Sequence, residues 1–285
     1  MNNAKKNRIK DKLFRVVGIS ATWIGIIILS IFMGFILYMG LSRLSWDFLT
    51  SLPSRFAEQS GIYTAWIGSL WILVLTTLIS FPVGVGAGIY LEEYAKNSRL
   101  NTLLEVNIAN LAGVPSVIYG LLGLGLFVRL AHLGNSILAG ALTLSLLILP
   151  IIIVSTREAI RAVPGTIREA SQGLGATKWQ TIWYQILPAS FGGILTGVIL
   201  AISRAVGETA PLIVVGALAY VPFAPRGLLD EFTVLPIQIF NWVSRPQHEF
   251  VINAAAAIIV LLGITLMMNG IAVYLRHRWQ EKMKW

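Results

Sequence analysis

Residues 156–190 read TREAIRAVPGTIREASQGLGATKWQTIWYQILPAS, and this stretch decides the fold. It is polar and patterned, and it lies between two long apolar runs. Thr177 followed three residues later by Gln180 has the spacing of a helix capping box, and so has Thr166 followed by Glu169. Because a capping box marks the start of a helix, the stretch predicts two short helices.

A glycine elbow separates the two predicted helices. Gly175 supplies the left-handed backbone position that ends the first helix, which we expect over 167–174. The second helix is predicted to end before Pro188. Neither helix is long enough to cross a bilayer. The residues alone leave two interpretations, a helix pair lying at the membrane interface or a docking site for a cytoplasmic partner.

Apolar runs extend from this stretch in both directions along the chain. Of the 285 residues, 56% are hydrophobic and 12% are charged, which excludes an ordinary soluble domain. A helix needs about 20 apolar residues to cross a bilayer. The predicted fold class is therefore all-α, a polytopic membrane protein with about six spans. They are expected over residues 14–38, 63–90, 106–130, 133–154, 191–220 and 251–274.

Lysine and arginine are unevenly distributed over the segments between the spans. Most lie in the two terminal segments and in the loops after the second and fourth spans; the opposite side has only Arg43, Arg55, Arg129, Arg226 and Arg245. This bias predicts a multi-pass protein of the plasma membrane with cytoplasmic N- and C-termini. The net charge of +9 follows from the same membrane loops, so we expect membrane lipid and no nucleic acid as a partner.

Two charges interrupt the predicted fifth span. Arg204 and Glu208 lie one helical turn apart, and each charge at the centre of a span costs about 2.5 to 3.5 kcal/mol. They are either a pair that neutralises itself and ties helices together, or part of a pathway. Gly207 and Pro211 predict a helix break here, which is tolerated only beside protein or a water-filled cavity. We therefore predict a translocation pathway at Arg204 and Glu208 with the adjoining Ser203 and Thr209.

The chemistry of this pair suggests a solute. A guanidinium group offers two parallel donors to an oxyanion such as phosphate. A neighbouring carboxylate accepts a hydrogen bond from the hydroxyl of protonated phosphate, whereas sulfate near neutral pH has no such hydrogen. Arg204 and Glu208 together therefore favour phosphate over sulfate, as a hypothesis from spacing alone.

The sequence contains no pattern for chemistry of its own. Cysteine is absent, and His132, His248 and His277 are scattered without ligand spacing, so we expect no metal site and no catalytic residues. A phosphate-binding loop of the form G-x-x-x-x-G-K-[ST] is also absent. We therefore expect a transport subunit that is not an enzyme and holds no cofactor.

Residues 156–190 resemble the EAA loop of ABC importer permeases, which is usually written E-A-A, three residues, G, nine residues and I-x-L-P. The resemblance implies a type I ABC importer permease fold, in which this coupling loop inserts into a groove on the ATP-hydrolysing subunit. The loop departs from the pattern at Ser171, in place of the second alanine, and at Gln185, in place of an aliphatic residue. It matches at Glu169, Ala170, Gly175, Leu187 and Pro188.

Three other segments resemble phosphate importer permeases of the PstA type. SRAVGETAPL at 203–212 is similar to their fifth-span motif, and GIYLEEYA at 88–95 and LAGVPSVIYGLLGLGLFV at 111–128 are similar to segments after the second span and through the third. The likeness extends from about residue 63 to the C-terminus. It adds third-span candidates for lining the pathway, namely Pro115, Ser116 and Tyr119.

The resemblance implies a permease subunit of an ATP-driven importer of inorganic phosphate. The expected partners are a second permease of the PstC type, two copies of an ABC ATPase that binds ATP and Mg, and an extracytoplasmic phosphate-binding protein. We divide the chain into 1–62, with the N-terminal tail, first span and outer loop, and 63–285, the permease core.

Two other function classes remain open at this point. An ion-coupled secondary anion carrier would often show inverted repeats and a broken helix in each half, and we see one broken span only. A membrane scaffold or receptor without a pathway leaves Arg204 and Glu208 unexplained.

Overall fold

The computed structural model describes residues 2–95, 98–217 and 220–282, which form helices joined by turns and loops. The all-α prediction is confirmed. Lys96 of the basic loop, residues 218–219 of the predicted fifth span and Lys284 of the basic C-terminus lie outside the described residues. The helices are α1 (Asn2–Gly40), α2 (Trp46–Thr50), α3 (Tyr63–Ile89), α4 (Arg99–Leu111), α5 (Ser116–Gly123), α6 (Ile137–Arg161), α7 (Gly165–Gly173), α8 (Lys178–Thr181), α9 (Leu187–Gly207), α10 (Ala210–Val215), α11 (Leu235–Val243) and α12 (His248–Lys282).

Three π-helical turns extend these helices. Tyr90–Tyr94 continues α3, Leu124–Leu130 continues α5, and Ile182–Ile186 joins α8 to α9. With these turns included, five segments within the described residues are long and apolar enough to cross a membrane, or six if a bent pair counts as one. The five are Lys10–Arg43, Tyr63–Tyr94, Ile137–Arg161, Lys178–Gly207 and His248–Arg278.

The bent pair corrects the predicted third span. Residues 106–130 were expected to form one helix, but α4 and the segment Ser116–Leu130 meet at an angle of 105°. Pro115 lacks an N–H and restricts the backbone of the residue before it, so the helix ends at Leu111 and starts again after the proline. The Tyr119 hydroxyl donates to the Leu111 carbonyl at 2.8 Å, which fixes the angle.

The predicted limits of the fourth and fifth spans are also wrong. The fourth was expected over 133–154, but α6 starts after the N-cap Ser136, whose hydroxyl accepts from the Ala139 N–H, and continues to Arg161. The fifth was expected over 191–220. It begins 13 residues earlier, at Lys178, and ends at Gly207.

Pro188 does not end a helix as predicted. The π-helical turn Ile182–Ile186 stands immediately before it, and Pro188 occupies the first turn of α9. The i to i+5 register of a π-helical turn displaces the carbonyls that a proline would otherwise leave unpaired. The second helix of the coupling loop and the fifth span are consequently one continuous segment of 30 residues.

Small residues bring α3, α6 and α9 close together. A Cβ on Gly84 of α3 would lie 2.6 Å from Ile152 of α6, and one on Gly88 would lie 2.7 Å from Thr156. On an adjacent face of α6, Gly193 and Gly197 of α9 pack against its residues 159 and 155. Both glycine pairs have the four-residue spacing that lets helix backbones approach in membranes. The order of these contacts makes α3 parallel and α9 antiparallel to α6.

A second cluster of buried side chains anchors the N-terminal region at the opposite end from the coupling loop. The ring of Trp242 in α11 lies 6.1 Å from that of Phe48 in α2 and 6.2 Å from that of Phe250 in α12. Arg43, just after α1, donates to the Asn253 side chain at 2.9 Å. The segment between α1 and α3 therefore packs on α11 and α12 through polar and aromatic contacts, while most of α1 is exposed.

Candidate functional site

Arg204 and Glu208 form the ion pair that their spacing suggested. Nε of Arg204 lies 3.2 Å from Oε1 of Glu208, and the two side chains are 38% and 16% exposed. Arg204 is in the last turn of α9, while Glu208 is the first residue after the helix and has an extended backbone. Among the described residues the protein supplies no acceptor to the two Nη groups of Arg204, so they remain available to an anion.

The predicted helix break is confirmed at Gly207 and Pro211. Helix α9 ends at Gly207, and Pro211 is in the first turn of the short helix α10. The Thr209 hydroxyl lies 3.4 Å from the Gly207 carbonyl, the group that loses its helical donor through Pro211. A Cβ on Gly120 would lie 2.8 Å from the Cα of Pro211, so α10 rests directly on α5.

Tyr119 lies near this ion pair but its hydroxyl is engaged elsewhere. The side chain is 6% exposed and close enough to Arg204 for an electrostatic interaction. The hydroxyl hydrogen is used in the bond to Leu111 that holds the bend. Pro115 and Ser116 form the start of α5 at the same bend. Tyr119 therefore lies beside the ion pair, and its hydroxyl stabilises the bend between α4 and α5.

Ser203 faces a different neighbour from Arg204. Its Oγ lies 2.7 Å from Oδ1 of Asn269 in α12 and 2.7 Å from the Ile199 carbonyl. Sequence reasoning missed Asn269, although an amide far inside the predicted apolar run 251–274 was a usable signal. A polar bond between helices therefore lies one residue from Arg204.

A second polar contact joins α9 and α12 seven residues away. Nη1 of Arg276 donates to the Thr196 hydroxyl at 2.8 Å. In α9, Thr196 comes seven residues before Ser203, and in α12, Arg276 comes seven residues after Asn269. The sequence assigned Arg276 to the basic C-terminal segment. From that segment its long side chain reaches back to α9.

The loop between α10 and α11 borders a cavity of about 700 Å³ at the end opposite the coupling loop. Asp230 organises this loop, since its Oδ2 accepts from the N–H groups of Arg226 and Gly227 at 2.8 and 2.9 Å. These donors hold the pKa of the Asp230 carboxyl below its usual value. The cavity is lined by Leu52, Tyr63, Ile67, Pro222, Phe223, Ala224, Pro225, Arg226 and Asp230.

The coupling loop has the predicted elbow but only one of the two capping boxes. Gly175 has φ +86°, and the Thr177 and Gln180 side chains each pair with the other's backbone N–H. Helix α7 starts at Gly165 with no side-chain cap, so the predicted box of Thr166 and Glu169 does not form. Pro164 sets the extended backbone before the helix, which places Thr166 inside the first turn.

The two departures from the EAA pattern lie between the two helices of the loop. Oγ of Ser171 is 3.0 Å from Oγ1 of Thr181, which is 1% exposed, so the serine joins α7 to α8 where an alanine could not. Gln185 is half-buried. It lines a mainly apolar cavity of about 570 Å³ together with Ile167, Ala170, Ser171, Leu174 and Ala176.

The apolar side chains of the second coupling-loop helix are divided between the core and the surface. Ile182 and Ile186 are buried in the core, whereas Trp179 and Trp183 are exposed and stack at 5.6 Å. Glu169 and Leu174 are also exposed, and Leu187 and Pro188 border the next segment of helix. The loop therefore presents aromatic and acidic side chains outward.

Comparison with known proteins agrees with this geometry. Residues 84–281 match the family described as binding-protein-dependent transport system inner membrane component. The chain is 34% identical over 269 residues to the "Probable ABC transporter permease protein YqgI" of Bacillus subtilis (strain 168), covering 89% of this chain and 91% of the relative. It is 36% identical over 230 residues to the "Phosphate transport system permease protein PstA" of Haemophilus influenzae, covering 80% of each.

A solved structure shares the fold along nearly the whole chain. It is titled "Crystal structure of bacterial alginate ABC transporter in complex with alginate pentasaccharide-bound periplasmic protein", and 96% of each chain aligns with a TM-score of 0.70 at 16% identity. At that identity the likeness concerns the fold alone, and it confirms the predicted importer-permease fold. The family match over residues 84–281 identifies this chain as a member of the binding-protein-dependent transport system inner membrane component family.

Proposed function

We propose that this chain is one permease subunit of an ATP-driven importer that moves inorganic phosphate inward across the plasma membrane. The observation that carries the proposal is the Arg204–Glu208 pair at the break after α9, where a guanidinium keeps its two Nη groups available. Several similar proteins are named phosphate transport system permease, including the one from Haemophilus influenzae. Both lines of support point to the same solute.

The pair suits a partly protonated phosphate. The Nη groups of Arg204 donate to two phosphate oxygens, and the Glu208 carboxylate accepts from a phosphate hydroxyl. Thr209 adds a hydroxyl next to Glu208, and Ser203 ties α9 to α12 beside Arg204 through its bond to Asn269. Pro115, Ser116 and Tyr119 place the start of α5 beside the pathway, with Gly207 and Pro211 providing the break.

The remaining subunits supply what this chain does not. We infer a second permease of the PstC type, two copies of an ABC ATPase that bind ATP and Mg, and an extracytoplasmic phosphate-binding protein. The chain would divide into residues 1–62 and the permease core 63–285. Both termini and the coupling loop would lie in the cytoplasm. The loop would then contact the ATPase through residues that either touch it or shape the loop. These residues are Glu169, Ala170, Ser171, Gly175, Leu187 and Pro188.

The test is uptake of labelled phosphate by proteoliposomes that contain the four kinds of subunit. Arg204→Met with Glu208→Met keeps the net charge, and it should lower ATP-dependent uptake at least about tenfold, because each lost hydrogen bond to a charged group is worth about 1.5 to 3 kcal/mol. Asp11→Met with Arg15→Met is the matched control, since these exposed residues have the same four-residue spacing on α1.

Two results would contradict the proposal. Uptake that ignores ATP and follows an ion gradient would indicate a secondary carrier, and full uptake by the Arg204 and Glu208 double variant would make the pair structural. Glu208→Gln tests the carboxylate separately. It should reduce the discrimination of phosphate against sulfate, and unchanged discrimination would exclude the proposed hydrogen bond.

A further inference from the structure

A cluster of ion pairs connects the coupling loop to three membrane-associated helices, and the proposed pathway does not include it. Its acidic members follow α3 or belong to α4, and its basic members belong to α6 and α7. We define the ion-pair cluster as Glu92, Glu93, Glu105, Arg157, Arg161 and Arg168.

The π-helical turn Tyr90–Tyr94 is the centre of the cluster. Glu92 receives two donors from Arg161, at 3.0 and 2.9 Å, and lies 3.4 Å from Nε of Arg157. Arg157 is 8% exposed and also reaches Glu105 of α4 at 2.8 Å. The end of α3, the middle of α4 and the end of α6 are therefore joined by charge pairs around the nearly buried Arg157, while the side chains of Glu105 and Arg161 are 37% and 54% exposed.

Glu93 binds the coupling loop itself. Nε and Nη2 of Arg168 in α7 both donate to Oε1 of Glu93, at 3.0 and 2.8 Å. The Glu93 side chain is 9% exposed. The same Arg168 donates to the Val163 and Ile160 carbonyls at 2.7 and 3.0 Å. These two hydrogen bonds cap the end of α6. One guanidinium thus holds α7 to both α3 and α6.

The second helix of the loop is attached to the same turn. Nζ of Lys178, the first residue of α8, donates to the Glu93 carbonyl and lies 5.1 Å from the centre of the Tyr94 ring. Both helices of the coupling loop are consequently fixed to two consecutive residues after α3. The chain itself connects α7 to α6 and α8 to α9, but nothing covalent connects the loop directly to α3.

Helix α7 depends on these polar contacts for its position. It has no fully buried residue, and its apolar contact with the core is made by the partly buried Ile167. We propose that Glu93 and Arg168 are positioning residues that make α3 move with the coupling loop when the ATPase displaces it. The inference rests on the proposed function in one respect, the docking of this loop on an ATPase.

The first experiment measures phosphate transported per ATP hydrolysed in the reconstituted four-component transporter. Glu93→Gln keeps the shape of the side chain and removes its charge, and Arg168→Met removes the guanidinium. Each should lower the ratio about tenfold at equal bound ATPase, the effect of losing one hydrogen bond to a charged group. Arg168→Lys keeps the charge and should retain more coupling than Arg168→Met.

Glu158→Gln is the matched control. Glu158 is 64% exposed and pairs with Arg161 at 3.6 Å, outside the contacts of Glu93, so this variant should couple as the unchanged protein does. An unchanged ratio in Glu93→Gln and Arg168→Met would overturn the proposal. A parallel fall of transport, hydrolysis and bound ATPase would also overturn it, because that pattern indicates a purely structural role.

A second experiment does not depend on the solute. The chain has no cysteine, so spin labels can be attached at Gly173→Cys in α7 and Leu78→Cys in α3, in a complex with cysteine-free partners. In the unchanged protein, the distribution of distances between the labels should stay the same when a nucleotide analogue is added. In Glu93→Gln, the same addition should broaden or shift the distribution. Identical distributions in both proteins would overturn the proposal, whereas failure of the unchanged transporter to take up phosphate would contradict only the proposed function.

Discussion

Arg204 shows how one side chain can be tolerated and used at the end of a span. Placing a charge within a membrane-spanning helix is costly, and the carboxylate of Glu208 reduces this cost through the 3.2 Å contact. Because Glu208 lies beyond the end of α9, the pair forms while the backbone leaves the helix. The Arg204 side chain remains 38% exposed at this break.

Gly88 provides a residue-scale prediction about packing. A Cβ here would lie 2.7 Å from Thr156 of α6, whereas a Cβ at Gly86, half a turn away, would meet nothing within 4 Å. Gly88→Leu should therefore force α3 from α6 and destabilise the protein by about 1 to 3 kcal/mol, the usual cost of overpacking. Gly86→Leu should change stability little.

Thermal unfolding of the purified protein in detergent, followed by circular dichroism, measures the difference. We expect a lower melting temperature for Gly88→Leu than for Gly86→Leu. Equal melting temperatures would contradict the close packing of α3 on α6.

The coupling loop shows how much a single helical element can differ from its sequence pattern. Its second helix continues through a π-helical turn into α9, so a movement of the loop acts directly on the helix that carries Arg204. Its first helix is attached by Arg168 and Glu93 instead of by buried side chains. The two helices of one loop are therefore held in different ways.

The two threonines of the loop provide an element-scale prediction. Thr177 accepts from the Gln180 N–H and completes a capping box, whereas Thr166 is exposed and caps nothing in α7. Thr177→Ala should destabilise the loop by about 0.5 to 2 kcal/mol, and Thr166→Ala should not. Hydrogen exchange of the amides of residues 178–182 measures this, and equal protection in the two variants would contradict the assignment of the cap.

The whole molecule is organised around α6. Helix α3 runs parallel to it and α9 antiparallel, both through four-residue glycine spacings, while α12 carries α1 and pairs with α9. With the bent pair counted as the third of six spans, the described start of α1 and the described end of α12 lie at the same end of the molecule as the coupling loop. This arrangement supports the proposed orientation with that end in the cytoplasm.

Cysteine labelling of intact cells tests the orientation. Phe56→Cys lies at an exposed position between α2 and α3, and Gly173→Cys lies at an exposed position of α7. A membrane-impermeant maleimide should label Phe56→Cys in intact cells and Gly173→Cys only after permeabilisation. The reverse pattern would contradict the proposed orientation.

The sequence by itself determined the all-α membrane class, the importer-permease family pattern, the elbow at Gly175 and the break between Gly207 and Pro211. These features depend on composition and on local backbone preferences, which act over a few residues. A charged pair four residues apart could also be predicted, since one helical turn brings Arg204 and Glu208 together.

Only the tertiary structure decided the bend of the third span, the continuity of α8 with α9 through Pro188, the contact of Ser203 with Asn269, and the attachment of Arg168 to Glu93. The last two join residues 66 and 75 positions apart in the chain. Periodicity and capping rules describe neighbours along one helix, whereas these contacts depend on how separate helices pack, and that packing determines which polar groups have partners.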